Sequence, residues 1–155
     1  MDNIDHTILK ILQKKARIPN VDVARKIKMA PSAVLGRIKK LEDRGIIDGY
    51  EVRLNPDHFN QSMVAFIQIK LENATIIQDT CKLLTEIKQV QEVHHLAGKD
   101  CIMIKLRTSE PQELEKILRK KINNIKNILS TKTFIALATY KESAQIVIPE
   151  QTGDK

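Results

Sequence analysis

The chain has 155 residues, of which 42% are hydrophobic and 29% charged, enough for one large domain or two small ones. Its formal net charge of +7 favours a polyanionic partner. Two cysteines, Cys81 and Cys101, offer neither a metal-ligand spacing nor a disulfide framework, and there is no signal-peptide pattern and no apolar run near 20 residues, so the expectation is a cytoplasmic protein with reduced thiols rather than a disulfide scaffold or a membrane protein.

The first predicted helix starts at Asp2 or Asn3, with Asp5 in its first turn favouring the positive end of the helix dipole. Ile4, Ile8, Ile11 and Leu12 form its apolar stripe. Pro19-Asn20 interrupts the chain and opens a short helix carrying Val23, Ala24 and Ile27. Pro31 suits the first turn of a third helix. There Val34, Ile38 and Leu41 face inward, while Ser32, Ala33, Gly36, Arg37, Lys39 and Lys40 fall on the opposite face. Gly45 stops this helix, and Asp48-Gly49 signals a tight turn between short strands at Ile46-Ile47 and Tyr50–Leu54. Two helices, a short turn and a β wing describe a winged helix-turn-helix over residues 1–54. Between Lys10 and Arg44 there are eleven basic and three acidic residues, a local charge of +8, so the rest of the chain sums to −1. Charge and motif coincide.

Residues 55–62, with Asn55-Pro56-Asp57 and Asn60-Gln61-Ser62, have the composition of a linker. The pattern then changes. Ala65, Ile67, Ile69 and Leu71 alternate with polar residues as a strand, and Ile76, Thr80, Leu83, Leu84 and Ile87 follow at helical spacing. Val90 to Ala97 reads as a strand and Gly98-Lys99-Asp100 as a turn, with Ile102, Ile104 and Leu106 on a third strand. Leu114, Ile117, Leu118 and Ile125 are helical, and Asn127 to Tyr140 is a long strand. The order βαββαβ over residues 63–148 is the ferredoxin-like layout, giving an α+β fold class for the chain. Its sheet carries helices on one face, and a second copy is the simplest cover for the other. Residues 149–155 are expected to be a disordered tail.

Two domain patterns in this order resemble the Lrp/AsnC, or feast/famine, transcription regulators. Residues 2–12, Arg37 to Tyr50 and Leu54-Asn55-Pro56 carry the likeness in the first half; Val90 to Leu106 and Phe134 to Lys141 carry it in the second. The likeness spans residues 2–146. It implies a DNA-binding dimer whose second domain senses an effector and oligomerises, often to octamers. It also implies that an amino acid or a related small molecule binds near the glycine turn, between dimers. The chain departs from the family's pattern at Lys28, often Gly, at Ala30, often Ser, and at Cys101, often Asp. Lys28 is therefore expected in a left-handed conformation, and Ala30 cannot cap the third helix.

On this basis Arg25, Lys26, Lys39 and Lys40 are expected to meet DNA phosphates, while Ser32, Ala33, Gly36 and Arg37 are placed to reach base edges. Arg37 alone offers a fork for guanine, or else clamps a phosphate. Gly98, Lys99, Asp100 and Cys101 are the effector candidates, set against a plain hairpin turn. His94 and His95 are neighbours on a strand, point to opposite faces, and so do not form a metal site with Cys101. No cofactor is expected. Two further classes share parts of the pattern: an architectural DNA-binding protein of low sequence preference, and an enzyme with the domain layout of sirohaem decarboxylases. The wing sequence is similar to the regulators.

Overall fold

The computed structural model describes residues 1–98 and 101–149. They form two units, Met1–Arg53 joined by the segment from Glu142, and Leu54–Lys141.

The first unit is built on α1 (Asn3–Lys14), α2 (Asn20–Ile27) and α3 (Pro31–Asp43). Asp2 caps α1 in a complete capping box: its carboxylate accepts from Asp5 N at 2.8 Å, and Asp2 N donates to Asp5 Oδ2 at 3.1 Å. Ile8, Leu12, Val23, Ala24, Val34, Ile38 and Leu41 make one buried cluster, so the spacing read from α3 does define its inner face. Lys28 ends α2 at φ 55, ψ 48, and Ala30 begins α3 without a side-chain cap. Because the Lys28 side chain is exposed, Lys28→Gly removes backbone strain without loss of packing. We expect it to raise stability by about 1 kcal/mol, with Ala30→Ser contributing a similar gain. Urea denaturation midpoints check both, and an unchanged midpoint for Lys28→Gly would refute the strain at that turn.

The paired strands expected at 46–54 do not form; no strand precedes Met63 among the described residues. The reason lies in the end of α3. Gly45 adopts φ +63, which turns the next two N–H groups back onto the helix. Ile46 N and Ile47 N donate to Leu41 O at 2.9 and 3.2 Å. Amides spent on helix carbonyls cannot join a hairpin ladder, and both isoleucines pack on the helical core instead. Tyr50 Oη donates to Glu42 Oε1 at 2.8 Å and so ties the turn to α3.

Residues from Glu142 cluster with the helical unit. Gln13 on α1 acts as a surrogate peptide group. Its Oε1 accepts from Ile146 N at 2.8 Å, and its Nε2 donates to Ile146 O at 3.2 Å. Gln145 Nε2 completes the seam by donating to Gln13 O at 2.7 Å. Of the expected tail 149–155, only Pro149 falls among the described residues.

The second unit holds β1 (Met63–Leu71), α4 (Ile77–Thr85), β2 (Val90–Leu96), β3 (Cys101–Thr108), α5 (Pro111–Ile117) and β4 (Ile128–Ile135). The antiparallel sheet has the order β2-β3-β1-β4, as the βαββαβ reading requires. Alternation along β1 and β3 sends Ala65, Ile67, Ile69, Ile102, Ile104 and Leu106 into a core shared with Leu84 and Leu114 of the helices. A π-helical turn, Leu118–Ile122, follows α5 and buries Ile122 completely. β4 is shorter than the strand expected over 127–140 and continues only through Ala136 N donating to Val64 O at 2.9 Å. Beyond it Leu137 and Tyr140 are fully exposed and lack the buried face that would hold a strand. No helix among the described residues is long and apolar enough to cross a membrane.

Candidate nucleic-acid interface and effector turn

The helical unit presents α3 as an exposed basic ridge. Ser32, Ala33, Gly36, Lys39 and Lys40 all lie on its outward face, and Arg25 and Lys26 are exposed at the end of α2. A Cβ built on Gly36 would meet nothing within 4 Å, so this position leaves open space on the ridge. Arg25 donates to Asp22 Oδ1 at 3.0 Å across one helical turn, an exposed pair of small energetic weight.

Arg37 differs from its neighbours. Its Nη1 donates to Asp2 Oδ2 and to Asp5 Oδ1, both at 2.7 Å. Its side chain is 30% exposed and that of Asp5 only 13%. The hydrogen bond from Asp5 N, and then the Arg37 guanidinium, hold the Asp2 carboxyl below the usual carboxylate range. The Asp5 and Asp2 carboxylates in turn raise Arg37 above its ordinary value.

Two features escaped the sequence reading. Leu35 is 54% exposed on α3, an apolar group suited to a thymine methyl. Its signal was its place one residue beyond Val34, outside the inward stripe. Lys10, Lys14, Lys15 and Lys26 line a cleft of about 200 Å³ together with Ile11 and Ile18. The spacing of Lys10 and Lys14 put them on one helix face, but their meeting with Lys26 required the packed pair α1 and α2.

In the second unit Gly98 lies in the turn after β2 at φ +146, a conformation L-residues rarely adopt. Cys101 opens β3, is buried, and accepts a hydrogen bond from Gln68 Nε2 at 3.3 Å. The other two effector candidates, Lys99 and Asp100, lie outside the described residues. Cys81 packs against the core, and burial pushes its thiol above the ordinary value. No group of three or more His, Cys, Asp or Glu side chains able to hold a metal lies among the described residues.

The sheet face away from the helices carries Phe66, Met103, Phe134 and Leu96 around a polar centre, placed there by strand alternation and register. Lys105 Nζ, only 11% exposed as a side chain, pairs with Glu92 Oε1 at 2.8 Å. That bond holds the Glu92 carboxyl below its usual range, and His94 Nε2 lies 3.2 Å from the other Glu92 oxygen.

Comparison with known proteins covers both units. Residues 64–146 match the model of the Lrp/AsnC ligand-binding domain, and residues 1–48 match a winged helix-turn-helix DNA-binding model. The leucine-responsive regulatory proteins of Escherichia coli K12 and Klebsiella pneumoniae are each 28% identical over 150 residues, covering 96% of this chain and 92% of theirs. The structure of Escherichia coli AsnC superposes with a TM-score of 0.85 at 28% identity, over 94% of this chain and 97% of that one. A transcriptional regulator of Neisseria meningitidis, solved as an L-Met complex, shares the fold with a TM-score of 0.88 at 22% identity, over 95% and 96% of the two chains.

Proposed function

The chain belongs to the Lrp/AsnC family of transcriptional regulators, with a DNA-binding and a ligand-binding domain and no enzymatic role, and on that premise we propose a site-specific regulator whose output is set by a free amino acid. The observation that carries the DNA half is the coincidence of the +8 segment with the exposed ridge of α3. Lys39, Lys40, Arg25 and Lys26 bind phosphates. Ser32, Ala33, Gly36 and Leu35 approach base edges. The cytoplasm is the compartment in which such a protein meets DNA.

A second copy supports both halves of this activity. Two recognition helices about one helical turn apart read a palindromic duplex. Phe66, Phe134, Met103 and Leu96 form the apolar part of the face that the second copy covers, giving an obligate dimer through residues 63–140. Dimers then assemble to an octamer, as the family resemblance implies.

The effector sits at Gly98, Lys99, Asp100 and Cys101, between dimers. Gly98 lets backbone approach the ligand without a Cβ, and the Asp100 carboxylate suits an ammonium group. Turn N–H groups suit a carboxylate, and the Cys101 end of β3 suits an apolar side chain. Leu or Met is preferred over a charged amino acid, in keeping with the L-Met held by the Neisseria meningitidis protein. A thermal-shift screen of the amino acids at two concentrations tests the class. At one hundred times its Kd the true effector adds about 2.7 kcal/mol. Gly98→Ala, strained at φ +146, is expected to abolish that shift. A variant that responds like the parent would move the site elsewhere.

A further inference from the structure

Arg37 is placed on α3 beside the base-reading residues, yet its hydrogen bonds run inward to the start of α1. We propose that Arg37 is a positioning residue, which locks the recognition helix to the capping box of α1, and that it does not read a base. This rests on α3 being the DNA-reading helix. The four carboxylate oxygens of Asp2 and Asp5 have four separate tasks. Asp2 Oδ1 accepts from Asp5 N, and Asp5 Oδ2 accepts from Asp2 N, which closes the helix cap. The remaining two oxygens, Asp2 Oδ2 and Asp5 Oδ1, both take Arg37 Nη1 at 2.7 Å. One guanidinium nitrogen thus bridges residues 35 and 32 positions away in the chain.

Three consequences oppose base reading. Nη1 uses both its hydrogens on two carboxylates, so the Nη1–Nη2 fork is unavailable to guanine, and the Nε–Nη2 edge is held in the orientation that the carboxylates impose. Two adjacent carboxylates also offset the charge that would draw Arg37 to DNA. Helical phase agrees with an inward role: Arg37 lies three residues after Val34 and one before Ile38, at the border of the buried stripe, whereas Ser32, Gly36 and Lys39 lie opposite it. Lys40 and Arg44 line the same cleft as Asp5 and Arg37, so the lock sits beside cations left to meet phosphates.

The test compares the full-length parent with Arg37→Gln, Arg37→Lys, Asp5→Asn and the Arg37→Gln/Asp5→Asn double variant. A randomised duplex pool is sorted by binding, at a temperature where circular dichroism shows every variant folded. As a lock, Arg37→Gln and Asp5→Asn each weaken binding roughly tenfold, the loss of a charge-assisted hydrogen bond, with base preferences at every position like the parent's. The double variant is no worse than Arg37→Gln alone. Arg37→Lys restores part of the affinity. Asp5→Asn is the decisive arm, because deleting a negative charge near DNA tightens binding if only electrostatics act. Asp5→Asn binding as tightly as the parent or tighter, or Arg37→Gln losing preference at one base position, overturns the proposal. Equilibrium unfolding of the same set without DNA reads the lock separately, and additive losses there also overturn it. A parent that binds no duplex while its unfolding losses are non-additive instead refutes the DNA reading of α3, and with it the positioning role.

Discussion

Replacing Lys39 and Lys40 by alanine is expected to weaken binding to preferred and random duplexes alike, by roughly ten- to a hundredfold at physiological salt. Both side chains are exposed on the outward face of α3, so their removal leaves the core of the unit intact. Phosphates carry no sequence information, so removing cations that touch them lowers affinity without changing preference. The double substitution takes two cations from each protomer of a dimer. The slope of log K against log salt should therefore flatten by about 0.9 for each phosphate no longer neutralised, or roughly 3 to 4 per dimer. Titrations at several salt concentrations measure this directly. A variant with the parent's slope would show that these lysines do not touch DNA. A change in base preference without a change in slope would make one of them a base reader.

The second large effect concerns assembly. Phe66 and Phe134 are directly paired across β1 and β4, and are 37% and 44% exposed in the single chain. Lys132 Nζ lies 5.1 Å from the Phe134 ring centroid, and Glu92 pairs with Lys105 further along the same face. If a second copy covers this face, Phe66→Asp with Phe134→Asp buries four carboxylates per dimer where four rings were packed. Central aromatic anchors are worth about 2 to 4 kcal/mol each at an interface, so dimer affinity should fall by at least a thousandfold. Light scattering at micromolar concentration should find the parent as a dimer or larger and the double variant as a monomer. A variant that keeps the parent's mass would place the interface on another surface, and a monomeric parent would refute the obligate dimer.

Much of this architecture is legible in the chain because it depends on periodicity. The spacing of Val34, Ile38 and Leu41 decides which side of α3 is buried, and so which residues remain outside. Alternation at Ile102, Ile104 and Leu106 marks the core face of β3, and the strand and helix order leaves one sheet arrangement. Lys28 is left-handed as expected, and the turn it makes brings Met29 N back to Ala24 O at 3.0 Å. The α5 pattern is less complete: Ile125 falls after a π-helical turn, since the inserted turn lets Ile122 reach the core.

What the tertiary structure alone decided lies in contacts between distant residues. Sequence places Arg37 on a basic helix, and only the approach of the α1 start to α3 supplies its guanidinium with two carboxylates. Asp48-Gly49 carries a hairpin signal, and the carbonyl of Leu41 claims the amides that the hairpin needed. Nothing local distinguishes Gln13 from a solvated helical glutamine, yet its amide pairs with the backbone of Ile146, 133 residues away. Periodicity is a property of neighbours along the chain and survives in any fold that buries the same stripe. A hydrogen bond between remote groups depends on which surfaces the packed elements bring within about 3 Å of one another, and composition, spacing and charge do not encode that distance.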